Sequence, residues 1–343
     1  MTLTPPDLTG RGRAGRWLRG VVIAALLGLA LAAFIALLGP LWWGFDLLAS
    51  FAPYYAVAAA AGLVLTLALG WRRWALLAAV VLVAHAPALL YLVREDGARA
   101  TIGGQTTPLR LTTMNVNWAN EDTAAILAFV RRARPDVLIV QEPAYTTWRG
   151  ARIESLGALF PYAAPKYWRY GGAILVFSRF PIRNEKDHVV IGRGKRVTFL
   201  TMDIVLGKTT VGVVAVHTAK AVNAAGYGEQ MRAMRKIAAY ARRRRGPLIV
   251  AGDFNLTPFS NRFSALLAVT RLRDAARGRG WRPTWTPFWR LGMAPLARAL
   301  PWLGLPIDHV LLSPGIAVAA LRQGPYIGSD HYPLTVELRV SSP

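Results

Sequence analysis

Three long apolar runs fill most of the first 93 residues and constrain the fold more than any other feature of the chain. They occupy residues 21–38, 47–69 and 74–93, and none contains Lys, Arg, Asp or Glu. Each run approaches or reaches the roughly 20 residues that a helix needs to cross about 30 Å of hydrocarbon. Backbone groups in lipid must be hydrogen-bonded within their own segment, so we predict three transmembrane helices that form an anchor over residues 21–93.

A cleaved signal peptide is the competing interpretation of the first run. It fits poorly because the run is long and two further apolar runs follow it. A buried helical hairpin in a soluble core is a weaker alternative for the same residues.

The arginines around the apolar runs predict the orientation of the anchor. Four precede the first run and two separate the second from the third, whereas the link between the first and second runs carries only Asp46. Loops rich in Arg and Lys stay in the cytoplasm, so residues 1–20 are predicted to be cytoplasmic and everything after residue 93 to lie outside. In a bacterium this topology describes a multi-pass inner-membrane protein whose large domain is periplasmic or extracellular. The six arginines are Arg11, Arg13, Arg16, Arg19, Arg72 and Arg73.

The net charge favours an anionic partner. The whole chain carries +23, and residues 94–343 hold 35 Lys and Arg against 16 Asp and Glu, a net of +19. Such a surplus attracts polyanions, either nucleic acid or an anionic lipid surface, although an Arg-rich composition can also be basic for no local reason. The chain has no cysteine, which excludes disulfides and thiolate metal sites but does not discriminate between compartments.

Beyond a predicted linker at residues 94–107, short β-type runs alternate with helical stretches. Val, Ile, Leu and Thr dominate the strand candidates, and turn residues flank them. This alternation over about 230 residues indicates one layered α/β domain at residues 108–343. The predicted strands are residues 109–115, 137–141, 173–178, 196–205, 211–217, 248–252, 307–313 and 334–340, and the predicted helices are residues 122–134, 229–245 and 261–277.

Polar residues collect at the ends of the apolar strands. A carboxylate or an imidazole at the mouth of a buried strand costs free energy unless it is paired or binds a ligand, so six such strand ends indicate one shared site. Oxygen ligands in a chain without cysteine favour a hard cation such as Mg²⁺, Mn²⁺ or Ca²⁺. The residues concerned are Asn115, Glu142, His217, Asp253, Asn255, Asp308, His309, Ser329, Asp330 and His331.

Taken in order, these motifs resemble those of the endonuclease/exonuclease/phosphatase superfamily, which includes DNase I, exonuclease III, neutral sphingomyelinases and inositol polyphosphate 5-phosphatases. The resemblance covers roughly residues 108–340. It implies the DNase I-like fold, a four-layer α/β sandwich whose two facing sheets place the active site at one edge. It also implies metal-dependent hydrolysis of phosphate esters. The motifs are Asn115, Gln141-Glu142, His217, Gly252-Asp253-Phe254-Asn255, Ile307-Asp308 and Ser329-Asp330-His331.

The resemblance assigns three of these residues to a metal, Mg²⁺ or alternatively Mn²⁺ or Ca²⁺. Glu142 would be the main metal-binding carboxylate, with Asn115 close to the same ion. Asp330 would lie near it.

Five further residues would act on the substrate. Asp253 would orient and help to deprotonate the attacking water, and Asn255 would hold a phosphate oxygen. His217 would donate to a phosphate oxygen. His331 would contact the phosphoryl group while Asp308 fixes its tautomer and raises its basicity. Together they would supply the positioned water and neutralised oxygens that phosphodiester hydrolysis requires.

Each of these residues also has a plain structural interpretation when it is taken singly. Asp253 could form a turn, Asn255 could cap a following helix, and Asp330 could cap a turn before the last strand. Glu142 could be an ordinary solvated strand end. The preserved order of the motifs favours the functional interpretation of the set.

Other histidines and aromatic residues are not assigned to the chemistry. His309 is interpreted as a packing or rim residue and His188 as a surface residue. Apurinic-site endonucleases of the superfamily have Tyr at the position of His217, which disfavours a dedicated base-excision role. Six aromatic residues are candidates for a wall beside the site, where they could stack bases, insert at a lipid interface or fill the core: Trp148, Trp168, Tyr170, Trp281, Trp285 and Trp289.

We therefore expect a membrane-anchored, metal-dependent phosphodiester hydrolase. Nuclease activity on DNA or RNA is the leading hypothesis, because of the +19 charge of residues 94–343. The close alternative is a phospholipid or lipid-headgroup phosphoesterase, which the membrane tether favours. A third alternative is a non-catalytic module that docks on nucleic acid or membrane, and the retained Glu142, Asp253, Asp308 and His331 speak against it.

Overall fold

The computed structural model describes residues 9–95, 105–143, 155–164, 174–191 and 196–341. Its contacts separate two units, Met1–Leu90 and Tyr91–Pro343. The two units are built on different physical principles, because the first exposes its apolar side chains and the second buries them.

Helices that expose large apolar side chains make up the first unit. Leu31 and Val64 point outward, whereas the small Ala56 and Ala59 are fully buried between the helices. This arrangement suits a lipid surround, in which helices approach through small residues and turn apolar side chains to the acyl chains. Two helical stretches, Gly15–Leu37 and Arg72–Val93, are long and apolar enough to cross a membrane. The helices are α1 (Thr9–Leu37), α2 (Trp43–Ala49), α3 (Ala52–Ala68) and α4 (Arg72–Val93).

The second apolar run does not form the single straight helix that its length predicts. It is divided between α2 and α3, which meet at a bend of 55°. Pro53 lies in the first turn of α3. Proline lacks an N–H and disfavours a helix through the residues before it, so α3 starts afresh at this point. The described residues therefore contain two candidate spans, or up to three if the bent pair counts as one span.

Two six-stranded sheets form the centre of the second unit. The first sheet has the strand order β11-β12-β1-β2-β4-β3, and the second has the order β5-β6-β7-β8-β10-β9. The strands are β1 (Thr106–Asn115), β2 (Val137–Gln141), β3 (Tyr162–Ala164), β4 (Ile174–Ser178), β5 (Ile182–Ile191), β6 (Arg196–Leu206), β7 (Thr209–His217), β8 (Leu248–Asp253), β9 (Arg273–Asp274), β10 (Asp308–Leu312), β11 (Ile316–Gln323) and β12 (Leu334–Ser341).

Helices cover the outer faces of the two sheets, and an apolar core lies between the sheets. Residues such as Ile139 of the first sheet and Val213 of the second share the central core. Phe129 packs on the outside of the first sheet, while Ile237 and Phe263 pack on the outside of the second. The predicted four-layer sandwich is thereby confirmed. The helices are α5 (Thr123–Ala133), α6 (Ala224–Arg243), α7 (Asn261–Thr270) and α8 (Ala294–Ala299).

One predicted helix, residues 261–277, is too long by seven residues. In the structure α7 ends at Thr270, and Arg271 adopts the left-handed conformation with φ +56°. The chain then forms the short strand β9, and the backbone N–H of Leu272 is hydrogen-bonded to Thr270 Oγ1. The predicted helix at 229–245 begins earlier, at Ala224, because the side chain of Asn223 accepts a hydrogen bond from the Gly226 N–H and caps it.

The strands that the sequence pattern misses are β3, β5, β9 and β11, and each lies at the edge of its sheet. An edge strand pairs on one side only and is less enclosed, so its sequence carries more polar residues and lacks a continuous apolar run. β1 also starts at Thr106, two residues inside the predicted linker.

The strand directions bring several chain segments to one edge of the sandwich. β1 runs parallel to β2, and β7 runs parallel to β8, so their carboxyl ends coincide. β12 and β10 run antiparallel to β1 and β8, so their amino ends reach the same edge. Gly252 makes the approach of β8 to β7 feasible, since its φ is +144° and a Cβ there would lie 1.9 Å from the Val216 carbonyl oxygen.

Candidate active site

Asn115, at the end of β1, connects the two sheets. Its Nδ2 donates to Glu142 Oε1 and to Asp253 Oδ2, both at 3.1 Å. Glu142 follows β2 in the first sheet, and Asp253 ends β8 in the second. The Oδ1 of Asn115 accepts a hydrogen bond from the backbone N–H of Asn117, which fixes the orientation of the amide.

His217 completes this cluster from the end of β7. Its Nε2 lies 3.3 Å from Glu142 Oε1 and 3.7 Å from Asp253 Oδ2. Burial raises the pKa of Glu142, but the charge of His217 and the hydrogen bonds from His217 and Asn115 outweigh burial. The pKa of Glu142 therefore lies far below its usual range. Burial lowers the pKa of His217, but Glu142 and Asp253 outweigh it, and that pKa is raised. These contacts favour the ionised form of Glu142 and the protonated form of His217.

A second group, next to the first, contains His331 and Asp308. His331 Nδ1 lies 2.8 Å from Asp308 Oδ2, and its Nε2 lies 3.8 Å from Asp253 Oδ2. Burial lowers the pKa of His331, but the charges of Asp308 and Asp253 outweigh it and raise the pKa to about 9. Within the described residues, neither His331 Nε2 nor Asp308 Oδ1 has a hydrogen-bond partner.

Asp253 is shared by both groups and is fully buried. Burial and the charge of Asp308 raise its pKa. Asp253 Oδ1 accepts a hydrogen bond from the backbone N–H of Asn255 at 2.8 Å, which leaves Oδ2 facing Asn115 and the two histidines. The side chain of Asn255 donates to the Thr218 carbonyl at 2.8 Å and is held at the same edge.

Asp330 is held by a different set of partners. Its Oδ1 accepts from Asn117 Nδ2 at 2.7 Å, and its Oδ2 accepts from Trp285 Nε1 at 3.2 Å and Arg290 Nε at 3.1 Å. Burial raises the pKa of Asp330, but the charge of His331 and the hydrogen bonds from Asn117 and Arg290 outweigh burial, so the pKa is lowered. The structure therefore brings Asp330 to the site through its neighbour His331, and the contacts of its carboxylate are with these three side chains.

Sequence reasoning missed three residues that support the site: Asn117, Thr284 and Arg290. Thr284 Oγ1 accepts the backbone N–H groups of Ile307 and Asp308 and so fixes the start of β10. Asn117 follows Asn115, the last residue of β1, by two positions, and this repeated Asn was a visible signal. Thr284 and Arg290 lie in an irregular segment between β9 and β10, where no periodic pattern marks them.

The backbone is strained at three site positions. The φ values of Asn117, Glu142 and Asn255 are 58°, 53° and 47°. They lie in the left-handed region of backbone conformation, which residues other than glycine rarely adopt. Such conformations cost about 1–3 kcal/mol each and persist where surrounding contacts hold them, commonly at functional sites. In this conformation the carboxylate of Glu142 lies beside Asn115 and His217.

His309 is fully buried, so the structure supports the packing interpretation and not the rim interpretation. Its Nδ1 lies 3.0 Å from Asp274 Oδ2, and its Nε2 lies 2.8 Å from the Leu256 carbonyl. Because both ring nitrogens face acceptors, the imidazole is doubly protonated and forms a buried ion pair. His188 is half-buried rather than fully on the surface, and its ring stacks on Phe199 at 4.5 Å.

The aromatic candidates divide into separate groups. Trp285 contacts the site through Asp330. Trp281 stacks on Phe259 and donates to the Trp302 carbonyl, and Trp289 is partly buried. The remaining three lie outside the described residues: Trp148, Trp168 and Tyr170.

We expect His309→Ala to lower the free energy of unfolding by about 3–5 kcal/mol, because it leaves the Asp274 carboxylate buried without its cationic partner. Thermal unfolding of the full chain in detergent at about pH 6 measures the loss. The matched control is His188→Ala, which removes a half-buried ring that has no carboxylate partner among the described residues and should shift the midpoint less. Equal midpoints for wild type and His309→Ala would contradict the ion pair.

The unfolding measurement is made at about pH 6 because of the pKa shifts of His309 and Asp274. Burial lowers the pKa of His309, but Asp274 outweighs it, so the pKa lies above its ordinary 6.5. Burial raises the pKa of Asp274, but His309 outweighs it, so the pKa lies below its ordinary 3.8. The histidine's contribution is complete below pH 6.5 and is lost as pH rises through its raised pKa. The aspartate's contribution is complete above pH 3.8 and is lost as pH falls through its lowered pKa.

The donor set of the site fits a hard cation. One donor atom from each of Glu142, His217 and Asp253 lies within 4.8 Å of the others, and the same holds for Asp253, Asp308 and His331. The raised pKa of the buried Asp253 indicates that an added positive charge would stabilise its ionised form. Carboxylate and amide oxygens are the ligands that Mg²⁺, Mn²⁺ and Ca²⁺ prefer.

Comparisons with known proteins agree with this geometry. Residues 112–331 match the model of the Endonuclease/Exonuclease/phosphatase family. A search of curated proteins found no match.

Solved structures of low sequence identity share the fold. One is the 3′ phosphatase NExo from Neisseria bound to a product DNA hairpin, at 20% identity and a TM-score of 0.54 over 66% of this chain and 98% of that chain. Another is sphingomyelinase C from Streptomyces griseocarneus, at 19% identity and a TM-score of 0.51. The match covers 68% of this chain and 99% of that chain. A third is the human Nocturnin catalytic domain with a bound sulfate anion, at 17% identity and a TM-score of 0.52. The match covers 68% of this chain and 95% of that chain.

Proposed function

Because the chain belongs to the endonuclease/exonuclease/phosphatase family, whose members hydrolyse phosphate esters, we propose that it is a membrane-anchored, divalent-metal-dependent phosphodiester hydrolase. One observation carries the proposal: side chains from both sheets converge on the Asp253 carboxylate. Asn115 lies 3.1 Å from it, and the Nε2 atoms of His217 and His331 lie 3.7 and 3.8 Å from it.

Glu142 would hold the metal, and Asn115 and Asp253 would lie close to the same ion. A bound divalent cation would neutralise the non-bridging phosphate oxygens and lower the pKa of a coordinated water. Asp330 is proposed as the more distant acidic neighbour, with its carboxylate already oriented by Arg290 and Trp285.

Asp253 and His331 have complementary proton roles in this proposal. A raised pKa of about 9 keeps His331 protonated at neutral pH, so its Nε2–H donates to a phosphate oxygen. Asp308 holds Nδ1 at 2.8 Å and thereby orients the ring. Asp253 accepts the proton of the attacking water through Oδ2, because Oδ1 is held by the Asn255 N–H. His217 is a second donor to the phosphate, and the Asn255 amide is a third.

Nucleic acid is the substrate class that we propose first. The net charge of +19 on residues 94–343 supports it, since a DNA or RNA backbone presents repeated phosphodiesters to a basic surface. The second candidate is a phospholipid, and it has a specific structural argument: exposed apolar side chains such as Leu291 and Trp302 lie on the segment that carries Arg290 into the site.

Two assays on the same preparation separate the candidates. The full chain in lipid nanodiscs, with Mg²⁺, is tested for nicking of supercoiled plasmid DNA and for headgroup release from phospholipid vesicles. Asp253→Ala supplies the background in both. DNA nicking that needs Asp253 supports the first candidate, and lipid turnover without nicking reverses the order. Wild-type rates equal to the Asp253→Ala background in both assays would reject a phosphodiester substrate of either class.

We propose that the bent pair of α2 and α3 counts as one of three spans and that residues 94–343 lie outside the bacterial inner membrane. Six arginines beside the apolar runs support this orientation. A C-terminal alkaline phosphatase fusion should then be active in cells and a C-terminal green fluorescent protein dark. The opposite pair of results would put the domain in the cytoplasm.

A further inference from the structure

An excursion at residues 286–304, which includes the short helix α8, extends from the second unit beside the active site. Its ends are closed by hydrogen bonds between Trp285 and Leu305, with N···O distances of 3.0 and 2.9 Å. Within it, the backbone carbonyl of the buried Ala297 accepts a hydrogen bond from the Tyr332 hydroxyl. The excursion is therefore attached to the domain at its ends and at its middle.

Most of the exposed residues of this excursion are apolar. Of the nine exposed large apolar side chains among the described residues from 105 to 341, four lie in these 19 residues. Their exposed fractions are 65% for Leu291, 45% for Met293, 37% for Leu296 and 56% for Trp302. A soluble surface rarely gathers such residues in one short segment unless another apolar surface covers them.

The excursion is also basic. It contains Arg290 and Arg298 and no Asp or Glu. Arg290 Nε is hydrogen-bonded to Asp330 at 3.1 Å, and the Arg298 guanidinium lies over the Tyr326 ring at 5.2 Å from its centroid. Apolar side chains bordered by arginines are the composition of segments that enter a lipid interface, because the side chains reach the acyl boundary while the cations meet anionic headgroups.

We infer that the outer side of residues 286–304 docks on the surface of an anionic lipid bilayer. The same chain contains two or three candidate membrane spans. If these spans cross a bilayer, every copy of the second unit is tethered next to that bilayer's surface. A second copy is disfavoured as the occupant because each chain carries +23 and each excursion is cationic, so pairing would bring like charges together. Docking in this way presents the catalytic edge, through Arg290 and Asp330, at the depth of the headgroups.

The absence of cysteine from the chain gives this inference a direct test. A single cysteine introduced by Leu296→Cys carries the only nitroxide label in the full chain, which is reconstituted in nanodiscs of phosphatidylglycerol and phosphatidylcholine. Power-saturation EPR compares access of oxygen, which concentrates in lipid, with access of a water-soluble nickel chelate. Leu291→Cys is a second position on the excursion, for the case in which the first variant fails to fold. Val269→Cys, 52% exposed on α7, is the matched control.

We expect labels at 296 or 291 to favour oxygen and to lie about 5–10 Å below the phosphates, whereas the label at 269 favours the nickel chelate. Water-like access at both excursion positions would overturn the inference. Shielding from both reagents would also overturn it, because a protein surface, from a second copy or another partner, would then cover the excursion. The readout is independent of hydrolysis, so its failure would leave the proposed function untouched.

Discussion

Replacing His331 by alanine is expected to lower the rate of phosphodiester hydrolysis by about 10²–10⁴-fold. The variant removes the protonated Nε2 that faces Asp253, and it leaves the Asp308 carboxylate buried without its partner. The measurement is the turnover number of the full chain on whichever substrate the two assays identify, at saturating Mg²⁺. Far-UV circular dichroism of the same samples checks that the domain remains folded.

His188→Ala is the matched control for this experiment. His188 is a half-buried histidine on β5 that stacks on Phe199 and bonds Thr201, and it has no contact with the carboxylates of the site. Its removal should leave turnover near the wild-type value. Full activity in His331→Ala would contradict the proposed role, as would an equal loss in both folded variants.

The second large effect concerns the metal. We expect Glu142→Gln to raise the Mn²⁺ concentration for half-maximal activity by about 100-fold or more, because losing the charge of the proposed direct ligand should exceed the 10–100-fold effect of losing an outer partner. The substitution keeps the size of the side chain and an oxygen for the Asn115 hydrogen bond. Activity titrations with Mn²⁺, after removal of bound ions with a chelator, give the constant for each variant.

Glu337→Gln is the matched control for the metal titration. Glu337 is a partly exposed carboxylate on β12 that pairs with Arg110 and Arg322 instead of the site residues. Its substitution should leave the Mn²⁺ dependence unchanged. An unchanged constant in Glu142→Gln would show that this carboxylate does not hold the ion.

The central strands of the fold were predictable from sequence because burial on both faces imposes a continuous apolar run. Residues 137–141 and 248–252 are examples, and both were predicted within one residue of β2 and β8. The edge strand β5 was not, because its sequence IRNEKDHVVI mixes charged and apolar residues as a partly exposed strand can. The bend in the second apolar run was also missed, since hydropathy measures length and not the effect of Pro53 on the helix.

The composition of the candidate site was predictable where its residues end buried strands. Asp253 and His217 are paired neighbours in β8 and β7, and Asp308 is the register partner of Asp253 from β10. Their proximity follows from the strand order, and the sequence predicted it only through the fold that the resemblance implied. The environment of Asp330 was not predictable, because Arg290 reaches it from an irregular segment 40 residues away in the chain.

The most direct test of this account is anomalous X-ray scattering from crystals of the full chain soaked in Mn²⁺. If strand ends from the two sheets assemble one metal-dependent hydrolytic centre, an anomalous peak should lie about 2.0–2.6 Å from a carboxylate oxygen of Glu142. The side chains of Asn115 and Asp253 should border the same peak. A map in which Mn²⁺ occupies only other faces of the domain, with Glu142 and Asp253 bound to no ion, would contradict it.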